Sequence, residues 1–228
     1  MSDYGYIKRN FEALSEEIEI ISNRVGVNPP RLVAVTKSGS DGELLALCRA
    51  GADAIGENRP AELARRGALL ADSEIFPQLH QIGTLQSNKA KLVAPSAKLI
   101  HSLASLSLAR ELEKQGARLG RKIPVLIEVN SASEEQKDGV FPCDTDRFID
   151  SILQYQHLEL RGLMTMGPAH CSPEELRGYF RLTKNLFDKL NSNFGADPVL
   201  SMGMSDSFGV AIEEGSTLVR VGRRLFIK

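Results

Sequence analysis

Residues 32–57, LVAVTKSGSDGELLALCRAGADAIGE, read as strand, helix, strand. The run LVAVT (32–36) is apolar and rich in β-branched residues, as a strand buried on both faces requires. Asp41 stands where it can cap a helix that Gly51 ends. DAIGE (53–57) is the next strand. Two strands joined through a helix lie parallel, because the crossover returns the chain to the same edge of the sheet.

The unit repeats outward along the chain. Further strands are expected at 78–82 (QLHQI), 98–102 (KLIHS), 124–129 (PVLIEV), 160–165 (LRGLMT), 198–202 (PVLSM) and 217–221 (TLVRV). Helix punctuation lies between them. Ser87 precedes NKAKLVA, which stops at Pro95, and Ser105 opens a helix running toward Gly120. Asp144 opens another, and Ser172-Pro173-Glu174-Glu175 is a capping box with proline at the first helical position. Before the first strand, Ile7, Phe11, Leu14, Ile18, Ile21 and Val25 fall on one helical face, an addition to the repeat. Eight parallel strands predict one closed (β/α)8 TIM-like barrel over residues 1–228. A doubly wound open sheet is the alternative, disfavoured because no Gly-rich phosphate loop follows any strand.

Composition narrows the function classes. Twenty-eight basic against 29 acidic residues, with no Trp, give no support to nucleic-acid binding. No apolar run is long enough for a membrane span, and the polar N-terminus does not resemble a leader. Cys48, Cys143 and Cys171 are odd in number and widely spaced, which fits reduced thiols in the cytoplasm. No His or Cys pair has metal-ligand spacing.

In such a barrel the chemistry sits at the C-terminal ends of the strands. Lys37 ends the first. At the inner end of an apolar strand an amine is partly withdrawn from water and becomes nucleophilic, the requirement for a Schiff base. The competing reading is a lysine that snorkels into solvent. The loops after strands 7 and 8 are a common phosphate site, and here SMGMSDS (201–207) leads into a short helix. Ser201 and Ser205 offer hydroxyls, Gly203 allows close approach, and Gly222 and Arg223 offer N–H donors. Arg220 lies inside the apolar strand TLVRV, where its charge needs a partner: Glu57, Glu128 or a ligand.

The ordered set LVAVTK, GENR, HQIGTLQSNKAK, IHSLASLSLA, LIEVNSASEEQKDGV, LRGLMTMGP and LSMGMSDSFGVAIEEGSTLVRVG closely resembles the YggS/PROSC family of pyridoxal-phosphate homeostasis proteins. The resemblance covers nearly the whole chain. It implies a barrel like the N-terminal domain of alanine racemase, with pyridoxal 5'-phosphate (PLP) on Lys37. It implies phosphate contacts from Ser201, Gly222 and Arg223, and Arg220 facing the pyridine nitrogen. Asn58, Ile82 and Gly83 would line the cofactor. Arg223 stands where the family usually has a small hydroxyl residue, and Ile227 where it has glycine. The family is regarded as a carrier or buffer of PLP. This chain is expected to work as a monomer, with PLP-dependent apoenzymes as transient partners. The alternative is a racemase-like PLP enzyme. An arginine at the ring nitrogen weakens the electron sink, and no second domain follows strand 8 to supply a tyrosine for the opposite face, which favours the carrier.

Overall fold

The computed structural model describes residues 4–134, 136–168 and 171–228. Eight parallel strands close into a barrel in chain order: β1 (Arg31–Val35), β2 (Ala54–Glu57), β3 (Gln78–Gln81), β4 (Ala97–Leu103), β5 (Ile123–Val129), β6 (Leu158–Thr165), β7 (Val199–Ser201) and β8 (Leu218–Val221). Closure is made by β1 against β8, with Val33 opposite Arg220 and Ala34 opposite Val221. The expected strands are found within a residue or two at their ends, and the open sheet is excluded.

The helices are α1 (Gly5–Val25), α2 (Asp41–Arg49), α3 (Pro60–Asp72), α4 (Ala90–Val93), α5 (Leu106–Leu119), α6 (Thr145–Ile152), α7 (Pro173–Leu190) and α8 (Phe208–Glu213). Local chemistry sets their ends. Ser40, rather than Asp41, caps α2: its hydroxyl accepts from the Glu43 N–H while Glu43 accepts from the Ser40 N–H. Asp41 is the first helical residue, where a carboxylate favours the positive end of the helix. Ser172 and Glu175 form the same reciprocal pair at α7, with Pro173 following. Gly120 ends α5 in the left-handed conformation.

No full helix follows β8; the chain makes one 3-10 turn, Arg223–Phe226. α1 takes that place, packing against α2, α8 and the last turn. It is the extra N-terminal helix expected ahead of the repeat, and it fills the place that a helix after β8 would take. Ile7, Leu14 and Ile18 of its predicted face are buried, each worth about 1.5–3 kcal/mol. Asn10 donates to the carbonyl of Ile227 at 2.7 Å, so the two ends of the chain are tied together.

Side chains alternate across each strand. Ala34, Ile55, Ile100, Ile127 and Leu163 face the helices in the outer core. Val33, Ala54, Leu99, Leu126, Met164 and Leu218 pack inside the barrel. Two residues further along several of these strands the inward positions become polar, which opens the site. Cys48, Cys143 and Cys171 are free thiols. Among the described residues no helix is long and apolar enough to cross a membrane.

Candidate functional site at the barrel mouth

Lys37 follows β1 by two residues, in step with the inward-facing Val33 and Val35. Its side chain is exposed at the mouth, not withdrawn among apolar neighbours as expected, and it makes no hydrogen bond or ion pair among the described residues. The turn carrying it is held from outside. Arg66 of α3 donates to the Thr36 carbonyl and the Gly39 carbonyl, both at 2.6 Å, and to the Glu57 carboxylate at 2.7 Å. Thr36 donates to the same carboxylate at 2.5 Å. Glu57 therefore faces outward into a buried ion pair with Arg66 and is not the partner of Arg220.

Arg220 of β8 is buried inside the barrel. Its guanidinium donates to the Ser201 hydroxyl and, at 3.0 Å, to the Thr165 carbonyl. Burial lowers its pKa to about 10, so it keeps its charge at neutral pH. Glu128, at the inward end of β5, is the nearest compensating charge, yet its carboxyl makes no hydrogen bond among the described residues. Burial, reinforced by Asp138, raises the Glu128 pKa to about 7, while Arg220 opposes the rise.

Beneath Arg220 a polar column continues down the barrel. His101 Nδ1 lies 3.0 Å from the Ser201 hydroxyl, and His101 Nε2 lies 2.9 Å from His80 Nδ1. Both imidazoles are buried, which pushes His80 to about 3 and His101 well below the ordinary histidine range.

Ser201, expected as a phosphate contact, is thus already engaged by Arg220 and His101. The hydroxyl that meets the β8 turn is Ser205, 3.3 Å from the Gly222 N–H. The loop between them pivots on Gly203 at φ 94°, where a Cβ would also strike Ala211 at 2.6 Å. Gly222 lies against β1, its hypothetical Cβ 3.0 Å from the Val35 carbonyl, so the Lys37 and Gly222 strand ends are neighbours. Arg223 turns its side chain away, to Asp206.

On the other side, Gly83 packs directly on Asn58, where a Cβ would come within 2.5 Å of the Asn58 carbonyl. Gln81 donates to the carbonyls of Asn58 and Gly83 at 3.2 and 3.0 Å, and Ser102 to that of Gly83 at 2.7 Å. Asn58, Ile82 and Gly83 are therefore brought together by adjoining strand ends. From sequence, His80 and His101 within strands 3 and 4 read only as hydrogen-bonded core residues, which they are, and nothing there points to their joining in a column or to the Arg66 latch. The one available signal was the placement of polar residues at inward-facing positions of strands 3 and 4.

Residues 10–227 match the family described as alanine racemase, N-terminal domain. A pyridoxal phosphate homeostasis protein of Aquifex aeolicus is 38% identical, with 88% of each chain covered. That of Vibrio alginolyticus is 33% identical over 96% of each. Among solved structures, PipY of Synechococcus elongatus with PLP bound superposes with a TM-score of 0.82, at 28% identity over 97% of this chain and 100% of that one. Alanine racemase from Corynebacterium glutamicum shares the fold, with a TM-score of 0.74 at 19% identity over 97% of this chain and 60% of that one. The chain belongs to the alanine racemase N-terminal domain family, among the pyridoxal phosphate homeostasis proteins.

Proposed function

We propose that this chain binds PLP at the barrel mouth and acts as a cytoplasmic carrier or buffer of that cofactor, with residues 1–228 working as one barrel unit. The observation that carries the reading is the juxtaposition made by β1 and β8: an unengaged lysine, a buried arginine and a hydroxyl–amide pair on neighbouring strand ends. PLP offers an aldehyde, an aromatic ring nitrogen and a phosphate, and the donor set suits all three. Lys37 is the free amine for the aldehyde. Arg220 is a fixed donor for the ring nitrogen. Ser205 with the N–H groups of Gly222 and Arg223 forms an anion cradle that glycine keeps shallow. Asn58, Ile82 and Gly83 form the wall opposite. Ser201 supports the cradle indirectly, through Arg220.

When bound, PLP supplies an electron-withdrawing ring to an amine attached to it. This chain's residues restrain that use. Arg220 retains its proton up to about pH 10, so it can donate a hydrogen bond but not readily protonate a ring nitrogen. Tyr4, Tyr6, Tyr155 and Tyr179 lie off the strands, and Tyr6 is engaged by Glu43. No tyrosine is thus placed on the inward face to serve as a second acid–base group. An exposed Lys37 suits loading and release, including transfer to apoenzymes. The proposed site needs no residue from a partner subunit, and we take the working unit to be a monomer.

The test is incubation of PLP-loaded protein with L- and D-alanine in deuterated water. The carrier reading expects no exchange at the α-carbon on the scale of enzyme turnover. Exchange at roughly 1 per second or faster would make the chain a racemase-like enzyme.

A further inference from the structure

His80 and His101 touch no part of the proposed cradle, yet they sit in line below it. An arginine side chain can only donate hydrogen bonds. The Ser201 oxygen must therefore accept from Arg220, which leaves the Ser201 proton to be placed. His101 Nδ1, at 3.0 Å, is the acceptor within reach. With Nδ1 accepting, a neutral His101 carries its proton on Nε2 and donates to His80 Nδ1 at 2.9 Å. His80 then carries its proton on Nε2, a buried atom with no partner among the described residues.

The opposite polarity is worse. If His80 donated to His101 and His101 to Ser201, the serine proton would have no acceptor and His80 Nε2 would be an unmatched lone pair. Two buried polar sites would be left unsatisfied instead of one. A charged His101 is opposed by burial first, then by His80 and Arg220, while Arg31 and Lys98 oppose charge on His80. We infer that His80, His101 and Ser201 form a one-directional hydrogen-bond column that positions the Arg220 guanidinium, each link donating away from it. The lone-pair ends of the serine and of both imidazoles then point toward the cation, which stabilises it where no carboxylate is hydrogen-bonded to it. The inference rests on the reading of Arg220 as the residue that meets the cofactor ring; His80, His101 and Ser201 are positioning residues that act through it.

The tautomers are measurable without cofactor. Long-range 15N–1H correlation on labelled, PLP-free protein should show His80 and His101 both neutral, with bare Nδ1 and protonated Nε2, unchanged across the range where exposed histidines titrate, about pH 5.5–8.5. Protonated Nδ1 on His101, or an imidazolium in that range, overturns the column. A second readout uses His101→Phe. Arg220 Nη signals that are separate in the wild type should merge as the guanidinium gains rotation. PLP affinity should fall about five-fold, the equivalent of one net hydrogen bond. A folded variant with unchanged Arg220 signals and affinity contradicts the inference. Should the variant not fold, the wild-type tautomers still decide. Wild-type protein that shows these tautomers but binds no PLP would overturn the proposed function and leave the column standing.

Discussion

Ser205 and Ser201 lie four residues apart and have different work. Ser201 is spent on Arg220 and His101, while Ser205 meets the Gly222 N–H at the turn proposed for phosphate. A charge-assisted hydrogen bond contributes roughly 1.5–3 kcal/mol. Ser205→Ala should therefore weaken PLP binding about ten-fold or more, measured by equilibrium dialysis; an unchanged constant would place the phosphate elsewhere. Glu128 offers a test by pH. An ordinary glutamate titrates near 4.5, and here burial raises the value to about 7. Between those values the folded protein binds more protons than the unfolded chain, so this group's contribution to stability falls as pH rises and levels off above about 7. Glu128→Gln, which cannot ionise, should gain stability over the wild type across that window, by about 2–3 kcal/mol at its upper end. Denaturant unfolding at several pH values reads this directly. A difference that stays flat from pH 4.5 to 7 would mean that Glu128 ionises normally.

At the level of elements, the turn after β1 is held by α3. The Arg66–Glu57 pair is buried, with 7% and 2% of the two side chains exposed, so removing one partner strands a charge. Arg66→Ala is expected to cost about 3–5 kcal/mol, whereas Arg66→Met combined with Glu57→Gln should cost clearly less. Chemical denaturation of the single and double variants separates the two, and equal losses would show that packing, not charge, dominates. The α7 capping box lends itself to a milder test: Ser172→Ala removes an exposed cap and should cost about 1 kcal/mol, with PLP affinity unchanged. A change in affinity would mean that α7 communicates with the mouth.

Across the whole molecule, the barrel was legible because its signals are local and repeated: an apolar strand, followed by a helix with its own cap or stop signals, recurs in unit after unit, at uneven spacing. That Lys37, Arg220, Asn58 and Gly83 gather at one face follows from the convergence of strand ends in such a barrel, while the cofactor roles proposed for Asn58 and Gly83 come from the family resemblance. What was not legible depends on which side of a strand a residue presents and on what stands across from it. Glu57 reads from sequence as a partner for Arg220, and only the outward pleat of β2 gives it to Arg66 instead. Ser201 and Ser205 look interchangeable as hydroxyls until β7 commits one of them to the barrel interior. The position of α1 in the ring depends on β8 lacking a full helix of its own, which the spacing of apolar residues in α1 does not encode.

Lys37 is the residue proposed to take up PLP where β1 meets β8. The most direct measurement is to load the purified protein with PLP, reduce it with borohydride and map the labelled peptide. The expected result is one label per chain, on the peptide containing Lys37, and none in Lys37→Ala. Label confined to Lys89, Lys91 or Lys137 would contradict it.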